Sequence, residues 1–162
     1  MLIGIDKLLD LCNLFIEDNC NTDFENVELN TDFFCYPDTN EVFVSIVALE
    51  NAYDEFMENL QTRTDITDIS VFTWSFLHEI GHCMTWDYLS KRTKHHCEHV
   101  KRKIERGSIP TIVYYGLADE KIATDWALRF ATDNYKIVKA FDEKTLDILN
   151  KIYLDNKIDL EG

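Results

Sequence analysis

Two histidines flank a glutamate near the middle of the chain, in the order His78-Glu79-Ile80-Gly81-His82. A helix places His78 and His82 one turn apart on one face, so both imidazoles can reach a single zinc ion. Zinc held by two imidazoles and one further protein ligand keeps a fourth position for water and lowers the pKa of that water. Glu79 lies beside the two histidines and can take the water's proton during attack on a carbonyl. The spacing predicts metal-assisted hydrolysis, with Glu79 as the general base.

The alternative is that both histidines are ordinary core residues of a buried helix. Glu79 would then be an unpaired buried charge, which costs free energy. The pattern therefore favours the metal site over the core interpretation.

A third protein ligand must come from another part of the chain. A metzincin would have glycine three residues and histidine six residues after His82, but Thr85 and Tyr88 stand there, which excludes that class. A thermolysin-like spacing requires a glutamate about twenty residues further on. Glu98 and Glu105 are weak candidates, because both lie in a basic segment rather than on an apolar helix.

Glu120 is the stronger candidate for the third ligand. It shares one helical face with Ala123 and Ala127, and small alanines permit the close approach of two helices. The alternative is that Glu120 is a surface residue of an ordinary amphipathic helix.

The two motifs together resemble the ImmA/IrrE-type metallopeptidases and related phage-encoded zincins. In that family the second motif is commonly E-x-x-A-[DN]-x-[FW]-A, and here the run from Glu120 to Ala127 reads E-x-x-A-x-x-W-A. The resemblance covers roughly residues 71–130. It implies a small helical zincin with a short sheet, in which His78, His82 and Glu120 bind zinc and Glu79 is the base.

The chain departs from this family at one position, where Thr124 replaces the usual acidic or amide residue. A hydrogen-bond partner that orients a ligand histidine is expected near this point. Thr124, Asp125 and Asp119 are all candidates for that role, and the sequence does not choose between them.

Three further features have both a functional and a structural interpretation. His95 and His99, in a cluster with His96 and Cys97, are candidates for a second metal site or for exposed residues of a polar helix. Tyr114 or Tyr115 could stabilise an oxyanion or could serve in packing. The strand over residues 41–46 is a candidate edge for an extended substrate.

The apolar spacing predicts an α+β fold that is mostly helical, with a short β-hairpin, and that spans residues 1–162 as a single unit. With the resemblance above, we expect this unit to be a small zincin-like domain. Two aspartates, Asp65 and Asp68, are expected to cap the long helix that carries the histidines. A β-hairpin is predicted from strands over 32–36 and 41–46, and residues 111–115 are ambiguous between a strand and a helical turn. Helices are predicted over residues 2–18, 48–62, 69–89, 91–106, 118–133 and 135–154.

Composition and charge indicate which kinds of molecule the chain can bind. The chain has 162 residues, of which 46% are hydrophobic, and no apolar run approaches the length of a membrane span. The formal net charge is −14, and residues 1–68 hold sixteen acids against two bases. This argues against nucleic acid as a partner and suggests a basic protein partner for the acidic N-terminal part. Residues 91–106 carry seven bases and two acids, which is expected of a solvated helix face.

Five cysteines at irregular spacing and the lack of a basic, apolar N-terminal leader predict a cytoplasmic protein. The predicted function is zinc-dependent hydrolysis of a peptide bond in a protein or peptide substrate. Two alternatives remain: a non-catalytic acidic binding or inhibitor protein on a zincin scaffold, and a helical interaction module that binds no metal.

Overall fold

The computed structural model describes residues 2–47 and 53–156. Within them the fold is α+β, as predicted, with a small sheet and a mostly helical remainder. The predicted helix over 48–62 is present as Asp54–Gln61, and residues 48–52 lie outside the described part. The helices are α1 (Ile5–Asn19), α2 (Asp54–Gln61), α3 (Val71–Thr85), α4 (Lys91–Glu105), α5 (Ala118–Asp133) and α6 (Tyr135–Asn156). The strands are β1 (Glu28–Leu29), β2 (Phe34–Tyr36) and β3 (Glu41–Val44), and two 3-10 helices cover Trp86–Tyr88 and Thr111–Gly116.

The sheet has the strand order β1-β3-β2. Strands β2 and β3 form the predicted antiparallel hairpin, and β1 pairs in parallel with β3. The two residues of β1 are too few to carry a recognisable alternation, so the sequence did not indicate this strand. Because β3 has a partner on each side, the expectation that the strand over 41–46 is a sheet edge is wrong. The edge on the hairpin side is β2.

Helix α3 runs through the core and carries both histidines. Its apolar side chains point in all directions and are buried, which is typical of a central helix. The main hydrophobic cluster extends from Ile5 to Ile152 and includes α3 residues such as Phe72, Trp74 and Ile80. Helix α5 packs most extensively against α3, and α6 and the sheet also contact it.

The N-terminus of α3 is fixed by a buried aspartate on α6. Ser70 caps the helix by accepting from the Thr73 backbone N–H. Asp142, only 1% exposed, accepts from the Ser70 N–H, from the Ser70 hydroxyl at 2.5 Å and from the Thr73 hydroxyl at 2.6 Å. The expectation that Asp65 and Asp68 cap this helix is therefore wrong, because Ser70 is the N-cap. Asp68 instead accepts from Tyr135 and Lys139 on α6.

Helices α3 and α5 touch at the backbone. A Cβ atom placed on Gly81 would lie 2.5 Å from the carbonyl oxygen of Ala123, which is too close for any side chain. Glycine at this position therefore sets the separation of the two helices. None of the helices in the described residues has the length and apolar character required to cross a membrane.

Candidate metal centre

Three potential metal ligands meet where α3 and α5 cross. His78, His82 and Glu120 are 8%, 7% and 2% exposed, and their ligand atoms lie within 4.8 Å of one another. Nε2 of His78 lies 3.0 Å from Oε1 of Glu120, and Nε2 of His82 lies 2.8 Å from Oε2. The interpretation of Glu120 as a surface residue is therefore wrong. This buried group can hold a metal ion.

The charges of this group are coupled. Burial by itself would lower the pKa of His82, but the Glu120 carboxylate outweighs burial and raises that pKa to about 9. Burial would likewise raise the pKa of Glu120, but His82 and His78 hold it well below its usual range. In the absence of a metal, His82 is thus a protonated partner of the Glu120 carboxylate. A metal ion must displace this proton in order to bind.

Thr124 is the residue that orients the first histidine. Its hydroxyl oxygen lies 3.0 Å from Nδ1 of His78, on the side of the ring opposite Glu120. Asp125 is exposed and forms an ion pair with Arg63, while Asp119 contacts Lys101 and the Glu120 backbone N–H. Of the three candidates that the sequence left open, only Thr124 contacts a ligand imidazole.

Lys101 is a member of the site that the sequence analysis missed. Its Nζ lies 2.8 Å from Oε2 of Glu120 and 2.5 Å from Oδ2 of Asp119. Burial would lower the pKa of Lys101, but the two carboxylates raise it above its ordinary value. The ammonium group is therefore a fixed positive charge beside a potential metal ligand.

The position of Lys101 follows from the packing of α4. Cys97 and Val100 on this helix form a small apolar cluster with Leu117, and Ile104 packs against it. Lys101 follows Val100 directly and lies one turn after Cys97, at the margin of the same helical face. The spacing of Cys97, Val100 and Ile104 could have indicated that one face of this helix is buried and that Lys101 lies at its margin. The many neighbouring bases instead favoured the interpretation of the whole segment as a solvated helix face.

Glu79 is partly exposed and lines the lysine cavity together with Cys35 of β2. Interaction with the Cys83 thiol, burial and the charge of Glu79 raise the pKa of Cys35. Cys35 is therefore a neutral thiol beside the expected general base. Neither residue pattern nor spacing indicated this contact, because the two cysteines lie on different elements.

Tyr114 also belongs to the site. Burial, followed by the charges of Glu120 and Glu79, raises its pKa, so that its hydroxyl stays protonated. Its ring lies 5.1 Å from the Nζ of Lys101. Tyr115 is half-buried and lines, together with Tyr114, a cavity beside His78.

Two cavities adjoin the group. The first, the aromatic cavity, has a volume of about 160 Å³. The second, the lysine cavity, has a volume of about 290 Å³ and is bounded by β2 residues as well as by Lys101. Phe33, Glu79, Tyr114 and Glu120 line both. The aromatic cavity is further lined by Tyr53, Phe56, Ser75, His78 and Tyr115.

The other histidines and glutamates of the basic segment lie outside the group. His95 and His99 are exposed on α4, while Cys97 is buried on the opposite side. Among the described residues, His78, His82 and Glu120 form the only set of three neighbouring ligand atoms. The cluster of His95, His96, Cys97 and His99 therefore does not form a second group of three neighbouring metal-ligand atoms. Glu98 and Glu105 are exposed and contribute no ligand.

Comparisons with protein-family models, with curated proteins and with solved structures found no match to this chain. The functional argument therefore depends on the residues and geometry of the site.

Proposed function

We propose that the chain is a zinc-dependent peptidase that hydrolyses a peptide bond in a protein or peptide substrate. The observation that carries this proposal is the buried group of His78, His82 and Glu120 beside two cavities that Glu79 also lines. Two imidazoles and one carboxylate are a donor set typical of catalytic zinc, because they leave a position for water. When bound, zinc supplies a water of lowered pKa and polarises the substrate carbonyl.

Three protein residues carry out proton transfer, stabilise the oxyanion and orient His78. Glu79 takes the proton of the attacking water and returns it to the leaving amine. Tyr114, whose hydroxyl stays neutral and which lines both cavities, would donate a hydrogen bond to the oxyanion. Thr124 holds His78 with Nε2 towards Glu120.

The substrate backbone has a suitable place along β2. In the described residues this strand pairs with β3 alone, and its Phe34 and Cys35 line the lysine cavity. An extended peptide added at the free side of β2 would pass beside Glu79. The five unpaired cysteines favour a reducing compartment for this activity.

One observation favours a second candidate function, that of an acidic binding protein without catalysis. Lys101 already supplies Glu120 with a cationic partner, so the group is satisfied electrostatically without a metal. In that case the acidic N-terminal part would bind a basic protein partner. Helices α3 and α5 would then support the fold and would take no part in catalysis.

Metal analysis and peptide cleavage by matched variants test the proposal. We expect about one zinc per chain in protein purified without a histidine tag and much less in Glu120→Ala. Glu79→Gln should keep its zinc and lose cleavage of a proteome-derived peptide mixture, read by mass spectrometry. Glu105→Gln, a change at an exposed glutamate on α4, is the control and should behave as the native chain. Native protein that takes up no zinc after reconstitution under reducing conditions would refute the proposal.

A further inference from the structure

The aromatic cavity contains an unused polar group. Ser75 lies one turn before Glu79 on α3 and lines this cavity. Its side chain is 3% exposed, and its Oγ has no hydrogen-bond partner among the described residues. A buried hydroxyl without a partner is destabilising, and in native proteins it calls for an explanation. A ligand that supplies the missing partner is such an explanation.

The size and walls of the cavity specify the shape of that ligand. Its volume is about 160 Å³, and an apolar cavity of roughly 150 Å³ is known to hold a benzene molecule. Five aromatic side chains line it, and aromatic rings pack favourably edge-to-face. Phe33 and Tyr53 already pack in this way, with ring centroids 5.8 Å apart. A single six-membered ring therefore fits the space.

We propose that the aromatic cavity receives a tyrosine side chain of the substrate next to the scissile bond, and that Ser75 recognises its hydroxyl. This inference rests on the proposed peptidase function, because the cavity adjoins His78 and Glu79. Ser75 is then a specificity-determining residue, and the preferred substrate class is a peptide with tyrosine beside the cleaved bond.

Other side chains satisfy the cavity less well. An aliphatic side chain or phenylalanine leaves the Ser75 hydroxyl without a partner. An acidic side chain is repelled by Glu79 and Glu120, which line the same space. A basic side chain would pair with Glu79, the proposed general base, and so remove it from the reaction. Glu120 is already engaged with His78, His82 and Lys101.

A second hydroxyl in the wall supports recognition of a phenol. Tyr53 accepts a hydrogen bond from the Phe33 backbone N–H at 2.9 Å. Its own proton has no acceptor among the hydrogen bonds described for this side chain. A tyrosine hydroxyl both donates and accepts, so it can pair with such groups where an aliphatic ligand cannot.

Small probes test the cavity independently of catalysis. p-Cresol and toluene differ only by the hydroxyl and represent the tyrosine and phenylalanine side chains. Their binding to the full chain, with and without zinc, is measured by titration in NMR spectra. We expect Ser75→Ala to weaken p-cresol binding about five- to tenfold while toluene binding changes less than twofold. Ser108→Ala, at an exposed serine, is the control and should change neither.

Each outcome supports or overturns the inference. Failure of both probes to bind, or a p-cresol affinity unchanged by Ser75→Ala, overturns it. Probe binding is measured without cleavage. A chain that binds p-cresol through Ser75 but hydrolyses no peptide would therefore refute the peptidase function and leave the phenol site standing. Conversely, a chain that cleaves peptides with equal efficiency at tyrosine, phenylalanine and alanine would refute the tyrosine preference alone.

Discussion

The Thr124 hydroxyl lies 3.0 Å from Nδ1 of His78, although these residues are on different helices and 46 positions apart in the chain. A hydroxyl that accepts from Nδ1–H fixes the tautomer that leaves Nε2 free for a metal. Thr124 stands at the fourth position after Glu120. The metallopeptidases that the sequence motifs resemble commonly have an acidic or amide residue at this position. A neutral hydroxyl orients the ring without adding negative charge to the centre.

Replacement of Thr124 by valine should weaken zinc binding. Valine keeps the shape of threonine but cannot accept from the imidazole, so we expect affinity to fall about 10- to 100-fold. Competition with a chromogenic chelator measures this change. Thr132→Val, at an exposed threonine on the same helix, is the matched control. Equal zinc affinity in Thr124→Val and the native chain would show that the contact has no orienting role.

Replacement of Gly81 by alanine should separate α3 from α5. The new Cβ would lie 2.5 Å from the Ala123 carbonyl oxygen, and overpacking of this kind typically costs about 1 to 3 kcal/mol. Because Glu120 is carried by α5, we also expect weaker zinc binding. Urea denaturation and zinc titration measure the two effects. Gly116→Ala adds a methyl group where nothing lies within 4 Å and should leave both unchanged, and a native-like Gly81→Ala would contradict the close contact.

Replacement of Lys101 by methionine should strengthen divalent cation binding. The ammonium lies 2.8 Å from Glu120 and repels a cation held by the same carboxylate. Two unit charges roughly 5 Å apart interact by about 3 kcal/mol at an effective dielectric of 20, and a divalent cation about doubles this. Screening at the partly exposed Lys101 reduces the effect, so we expect an affinity gain of about tenfold or more. Zinc competition measures the gain, with the exposed Lys103→Met as control. A loss of affinity would mean that Lys101 mainly holds Glu120 in position.

Metal binding and stability should depend on pH in opposite ways. The pKa of His82 rises from its ordinary 6.5 to about 9 in the metal-free fold. Its pairing with Glu120 therefore stabilises the metal-free fold fully below pH 6.5, and this contribution is lost as pH rises through about 9. Zinc displaces the same proton, so its affinity should increase over this interval by up to about tenfold per pH unit.

Denaturation in the presence of a chelator, from pH 6 to pH 10, measures the stability half of this prediction. The difference between the native chain and His82→Gln isolates the contribution of His82 from those of other titrating groups. A difference that stays constant with pH would show that His82 is neutral in the metal-free protein.

Local patterns were sufficient to predict the helices of the described residues and the grouping of His78, His82 and Glu120. The apolar repeat and the H-E-x-x-H spacing depend on neighbouring residues, and the face that joins Glu120 to Ala123 led correctly to a buried glutamate. The close approach of α3 to α5 at Gly81 could not be predicted from local patterns, because it is a contact between the backbones of two helices that are distant in the sequence.

The remaining errors concern contacts between distant segments. Asp142 caps α3 from α6, a relationship that no local capping pattern can reveal. Lys101 reaches the centre only because α4 packs its apolar face beside α5. The pairing of β1 with β3 likewise depends on where the intervening hairpin folds back.

The placement of the three potential metal ligands on two helices also has a consequence for synthesis of the chain. His78 and Glu120 are 42 positions apart, so a growing chain that ends before Glu120 contains only two of the three donors. The full set exists only after α5 has left the ribosome and docked at Gly81. Capture of the metal by all three ligands would therefore mark a late step of co-translational folding, and a truncated chain would lack the complete centre.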